Sequence, residues 1–158
     1  MSPKHPERRK LVFRTLLEAQ QECTELFASG YSCTGNWTLG QMCHHLRITQ
    51  DASLDGYPRW MSLFAPVRPV LRWLMLKRLL SGDSPSGIKT AKIFVPPANI
   101  ADEKELSSYV QSIERFRSYQ GKLHTHPGFG RFSHSEFGQF HACHAAHHLS
   151  FLLPKATE

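Results

Sequence analysis

Two adjacent histidines, His44 and His45, stand in the run GNWTLGQMCHHL, and four more, His141, His144, His147 and His148, crowd FHACHAAHHLSF near the C-terminus. Imidazole is the commonest metal ligand in proteins and titrates nearest neutrality, so ten histidines in 158 residues require an account. At 3.6 residues per turn, His141, His144 and His148 share one apolar stripe with Phe137, Phe140, Phe151 and Leu152. His147 falls at the edge of that stripe and Cys143 further round. A buried imidazole without a partner costs about 1–3 kcal/mol. A lone core histidine is usually answered by a carbonyl, but three in a column are answered together by a metal ion. Histidines at i and i+4 aim two nitrogens at one point, as in the HExxH helix of zinc proteases. That motif's glutamate is missing here, because Ala145, Ala146 and His147 separate His144 from His148.

A third ligand has to come from a facing helix. The doublet supplies it, yet helical spacing does not choose between His44 and His45, which lie on opposite flanks of the Leu39/Met42/Leu46 stripe. Other polar candidates are weaker. His124 and His126 fall in the turn-rich HTHPGFG, where exposure is the default, although either could shield the metal or act as a general acid. Arg131 precedes a helix start and could meet an anion there. Cys43 and Cys143 read as small core residues.

Five helical stretches position these groups. The first follows Pro6, buries Val12, Leu16, Ala19, Cys23 and Leu26, with Phe13, Leu17 and Phe27 widening the stripe, and stops at Gly30. The second opens on a capping box of Thr38 and Gln41, with Trp37 and Met42 as staple, and ends near Gly56. Pro58, Pro66 and Pro69 break the chain before a short third helix, Val70 to Leu80. The fourth opens at Asp102, with Glu105 as capping partner, and buries Leu106, Val110, Ile113 and Phe116. The fifth is capped by Ser133 and Glu136 and stapled by Phe132 and Phe137. The stretch from Ser81 to Asn99 is a long, irregular and mobile connection, and IFVP at Ile93 is the only β-like run. The expected architecture is all-α, a single helical-bundle domain over residues 1–158.

Composition bounds the rest. With 41% hydrophobic and 20% charged residues, neither disorder nor a fibre is indicated. The net charge of +6 and pI near 9.4 favour anionic small molecules, acidic surfaces or nucleic acid without selecting among them. Cys23, Cys33, Cys43 and Cys143 form no CxxC pair and read as reduced thiols of a cytoplasmic protein. No signal peptide is visible, and Val67 to Leu80 carries four cations, so no membrane span is expected.

The segments GNWTLGQMCHHL, SLDGYP, SGIK, HPGFG and HACHAAHHL, in that order, resemble the DinB/YfiT-like superfamily, and more closely a branch of it whose function is unknown. The resemblance spans most of the chain. It implies a four-helix bundle, often dimeric, holding divalent nickel or zinc between one histidine of the second helix and two of the last. Carried over by position, the metal ligands are His45, His144 and His148. His45 is selected because the family's histidine stands just before a leucine and eight residues after the tryptophan. His44, His141 and His147 remain as neighbouring groups or alternative ligands, and His126 and Arg131 as substrate-side residues.

Two functions are therefore expected to compete. One is a metal-dependent hydrolase or low-molecular-weight-thiol transferase, acting as a homodimer on a small, anionic thiol-bearing substrate, since superfamily relatives include thiol-dependent transferases and isomerases. The other is a non-catalytic bundle whose Arg- and Trp-rich third helix docks a membrane surface or nucleic acid. On a helical wheel Arg68, Arg72, Lys77 and Arg78 spread around that helix instead of forming one basic face, which weakens the second reading.

Overall fold

The computed structural model describes residues 8–155 apart from 86, 88 and 89, so most of SGIK and the chain around Pro6 lie outside the described residues. Four long helices make a mostly helical bundle: α1 (Leu16–Ser29), α2 (Leu39–Asp55), α5 (Asp102–Ser118) and α6 (His134–Leu149). Between α2 and α5 run a 3-10 stretch (Arg59–Val67), α3 (Arg68–Leu71), a π turn (Arg72–Leu76), α4 (Lys77–Leu80) and a 3-10 turn (Lys92–Phe94).

The helix starts are set locally. Thr38 Oγ1 accepts from Gln41 N at 3.3 Å, while Gln41 Oε1 accepts from Thr38 N at 3.0 Å. Ser133 and Glu136 exchange the same pair of bonds, and Phe132 packs on Phe137 with ring centroids 4.8 Å apart. These are two complete capping boxes, each satisfying two orphan backbone donors. Two other starts differ from expectation. Helix α1 begins at Leu16 under a Thr15 cap, not after Pro6, so Phe13 reaches the core from irregular chain while Val12, Leu17 and Phe27 stay exposed. At α5 the cap position is Ala101, and Asp102 is the first helical residue.

The carboxylate of Asp102 is used across the bundle. It accepts from Gly40 N at 2.7 Å and from the Tyr31 hydroxyl at 2.5 Å, tying the starts of α2 and α5 together. Gly40 is required there, since a Cβ would stand 2.9 Å from Asp102 Cα. Further along, Gln50 Nε2 donates to Ser112 Oγ (2.8 Å), and Arg115 pairs with Asp55. Partner numbers rise together, so α2 and α5 run parallel, and the connection from Gly56 to Ala101 must return along the bundle. Against α6 the order reverses, because His45 faces His144 and His148 while Ser53 faces His141. These two helices are antiparallel.

The core between the helices is closed by Leu26, Leu39, Ile113, Phe116, Phe137 and Leu149, among others. Tyr109 is also fully buried. One two-stranded sheet was not expected: β1 (Tyr31–Cys33) pairs antiparallel with β2 (Leu152–Pro154), Ser32 opposite Leu153. The expected β-like run at Ile93 is instead the 3-10 turn. A three-residue strand carries too little alternation to be read from sequence, and its partner lies at the far end of the chain.

Candidate metal centre

His45 lies in the middle of α2, where the Thr38 cap sets the helix phase, and His144 and His148 lie one turn apart on α6. Their Nε2 atoms converge: His45 to His144 at 3.3 Å and His148 to His144 at 3.0 Å. One ring nitrogen from each lies within 4.8 Å of the others. The Nδ1 of His45 meets the Phe94 carbonyl oxygen at 2.7 Å. A carbonyl only accepts, so Nδ1 carries the proton and Nε2 turns a lone pair inward. Trp37 walls the group, stacked on His148 (centroids 5.5 Å, 19°) and tilted against His45 (5.0 Å).

Burial holds all three imidazoles below the ordinary histidine range, and neighbouring imidazoles deepen the shift at His144 and His148. At His45 the Phe94 bond partly offsets the burial. They are neutral at neutral pH, the state that binds metal. A single N–H can bridge two of these nitrogens, whereas a cation placed between them engages all three at once. A tetrahedral ion with bonds of about 2.0–2.1 Å would hold its nitrogens roughly 3.3 Å apart. The donor set therefore fits a divalent cation.

The remaining candidates go elsewhere. His44 turns to the other flank of α2, with Nδ1 3.1 Å from the Glu105 carboxylate beside Arg47. His141, expected on the ligand stripe, is buried but answered by protein: its Nε2 is 3.3 Å from Ser53 Oγ, and its ring stacks on Phe137 at 5.2 Å. Because Ser53 Oγ donates to the Gln50 carbonyl (2.6 Å), the histidine supplies the proton of its own bond. Burial pushes His141 down to about 3. His147 is half-buried outside the triad, its Nδ1 buried without a partner among the described residues, and burial with nearby Arg8 brings it down to about 4.

The turn histidines divide. His124 is exposed, as expected of a loop residue. His126 is not: its Nδ1 accepts from Gly128 N and Phe129 N, both at 3.1 Å, and its ring packs against Phe129 and Phe140. Burial, helped by Arg68, takes it down to about 3. Arg131 is exposed and lines a surface cleft of about 290 Å³ with Lys122, His124 and His134, while a second cleft, of about 270 Å³, reaches His147. Neither cleft includes a residue of the triad. Cys43 and Cys143 are buried, and no cysteine of the chain is in a disulfide.

Three participants escaped the sequence. Trp37 carried a signal, its place before the capping box and eight residues ahead of His45, but read as a staple and a family marker and not as a wall of the site. The Phe94 carbonyl is backbone and has none. Tyr57, within SLDGYP, has a buried hydroxyl without a partner among the described residues, and its ring lies 5.5 Å from that of His126. Burial pushes that hydroxyl up from its ordinary range.

Fold and site together define a helical-bundle protein with a buried trihistidine group able to hold a metal ion. A family model described as a protein of unknown function, DUF1569, matches residues 5–155, and the chain belongs to that family. No curated protein and no solved structure matches the chain. Among the described residues, no helix is long and apolar enough to cross a membrane.

Proposed function

We propose that the protein is a divalent-metal-dependent enzyme of the DinB/YfiT-like type, a hydrolase or low-molecular-weight-thiol transferase, with His45, His144 and His148 as ligands. The observation that carries this reading is the convergence of three neutral Nε2 atoms, with the His45 tautomer fixed by the Phe94 carbonyl. The match over residues 5–155 supports reading the chain as one domain.

Three neutral donors leave the charge of a divalent ion uncompensated and fill fewer positions than such ions take, which favours a catalytic over a closed structural site. When bound, the ion supplies Lewis acidity, activating water or a thiol near neutral pH and polarising a carbonyl. Phe94 fixes the direction of the His45 lone pair, and Trp37 holds the His148 ring in plane and excludes water from that side. His126 presents Nε2–H, since its Nδ1 is engaged, and would donate to substrate. The basic balance of the chain suits an anionic thiol. Imidazole ligands accept zinc and nickel alike. We place the enzyme in the cytoplasm, as a homodimer.

The test compares protein stripped by chelator with protein reloaded with zinc or nickel, on ester and amide hydrolysis and on thiol conjugation. Turnover is expected only after reloading and should vanish in His148→Ala. Turnover undiminished in stripped protein overturns the reading. Full reloading with no turnover on any of these substrates leaves a metal-binding bundle without catalysis.

A further inference from the structure

Between Gly56 and Gly82 the sequence contains no aspartate or glutamate and five cations: Arg59, Arg68, Arg72, Lys77 and Arg78. The same stretch holds the string of short helices from Arg59 to Leu80. Of the twelve large apolar side chains that stand exposed among the described residues, seven lie between Trp60 and Leu74. Trp60, Leu63, Phe64, Val67, Val70 and Trp73 recur every three to four residues, the spacing of one helical face. In a bundle helix that face points inward. Here it points outward.

The inner side shows how the segment is held in this orientation. Met61 and Leu76 are its buried anchors. Arg68 Nε donates to the Pro127 carbonyl at 2.8 Å, and Arg72 Nη1 donates to the Phe129 carbonyl at 2.7 Å. The two arginines that scatter charge around a helical wheel are thus turned back onto the turn at His126–Gly130. Arg59, Lys77 and Arg78 remain exposed, at the two ends of the apolar face.

We propose that this face docks the protein onto the surface of an anionic phospholipid bilayer. Contiguous exposed apolar surface of this kind marks an interaction site. The occupant is chosen by charge and residue type. Tryptophans near both ends of the face, with cations flanking it, form the pattern of a segment lying at the headgroup boundary. The absence of any acidic residue denies an ion-pair partner to a second copy, whose equivalent face would bring three more exposed cations against these. The net charge of +6 draws the whole chain toward an anionic surface. The segment lies on the bilayer and does not cross it.

Vesicle co-sedimentation tests the proposal on the full chain. The wild type should sediment with mixed phosphatidylserine–phosphatidylcholine vesicles at low salt, with blue-shifted tryptophan emission, and weakly with phosphatidylcholine alone. Leu63 and Trp73 are 79% and 78% exposed, so Leu63→Gln/Trp73→Gln leaves the core intact. That variant should lower partitioning about tenfold. Arg59→Gln/Lys77→Gln/Arg78→Gln should lower it roughly a hundredfold, each cation near an anionic surface being worth about a fivefold change. Wild type left in the supernatant with anionic vesicles overturns the proposal, as does a Leu63→Gln/Trp73→Gln variant that sediments like wild type. A wild-type dimer that this variant converts to monomer in analytical ultracentrifugation overturns it too, assigning the face to a second copy.

Discussion

Two groups of buried imidazoles occupy this bundle, and they are answered differently. The Nε2 atoms of His45, His144 and His148 face one another, at 3.0 and 3.3 Å. His126 and His141 sit nearer the start of α6, as deeply buried among phenylalanines, but each has a protein partner: two backbone N–H groups for His126 and the Ser53 hydroxyl for His141. Residue type and burial are shared between the groups, and His141 also shares the α6 stripe of His144 and His148. What separates a ligand from a core histidine is whether the protein has already satisfied the nitrogen that points inward. The inward nitrogens of the triad meet only one another, and a cation would complete them.

The largest expected effect falls on the triad. His144→Ala and His148→Ala should each lose nearly all bound divalent metal in elemental analysis, because two remaining imidazoles hold an ion far more weakly than three. Metal content close to wild type in either variant would erase the distinction between the groups. His141→Ala should do the reverse, keeping its metal while losing about 2–4 kcal/mol of stability in urea unfolding, the cost of truncating a large buried ring. Loss of metal with stability unchanged would move His141 into the ligand set.

Acid should act on both groups once the metal is stripped, because burial lowers the triad as it lowers His126 and His141. His126 and His141 are held down to about 3 in the folded protein, against an ordinary value of 6.5. Between those values the unfolded chain binds more protons than the native one, so stability rises with pH across the window. Metal-stripped protein should therefore lose stability steadily as pH falls below about 6.5 and on toward about 3. A denaturation midpoint independent of pH over that window would mean the two histidines protonate freely in the fold. The smallest effect belongs to His44. Its contact with Glu105 lies across α2 from the triad, so His44→Ala should leave metal content unchanged and cost about 1 kcal/mol. Any fall in metal would put the choice between the doublet's two histidines back in question.

That choice also marks what the sequence could tell. The helix starts at Thr38 and Ser133 were legible because a capping box involves residues three apart. The column of His144 and His148 was legible because helical spacing is local too. Between His44 and His45 helical spacing was silent, since the answer comes from distant chain. Glu105, 61 residues on, takes His44, and the Phe94 carbonyl, 49 residues on, takes His45. His126 misled at shorter range: a histidine beside Pro127 and Gly128 reads as exposed loop until Phe129, Phe132 and Phe140 close around it. The pairing of β1 with β2 and the outward face at Trp60–Trp73 likewise depend on what the rest of the chain covers or leaves bare.

The central claim is that three converging imidazoles hold one ion, and metal content tests it most directly. Protein purified without an affinity tag should carry close to one divalent ion per chain, and His45→Ala, prepared alongside, should carry almost none while remaining folded by circular dichroism. A wild type that is metal-free and takes up neither zinc nor nickel on reloading would contradict the account and return all three histidines to the core.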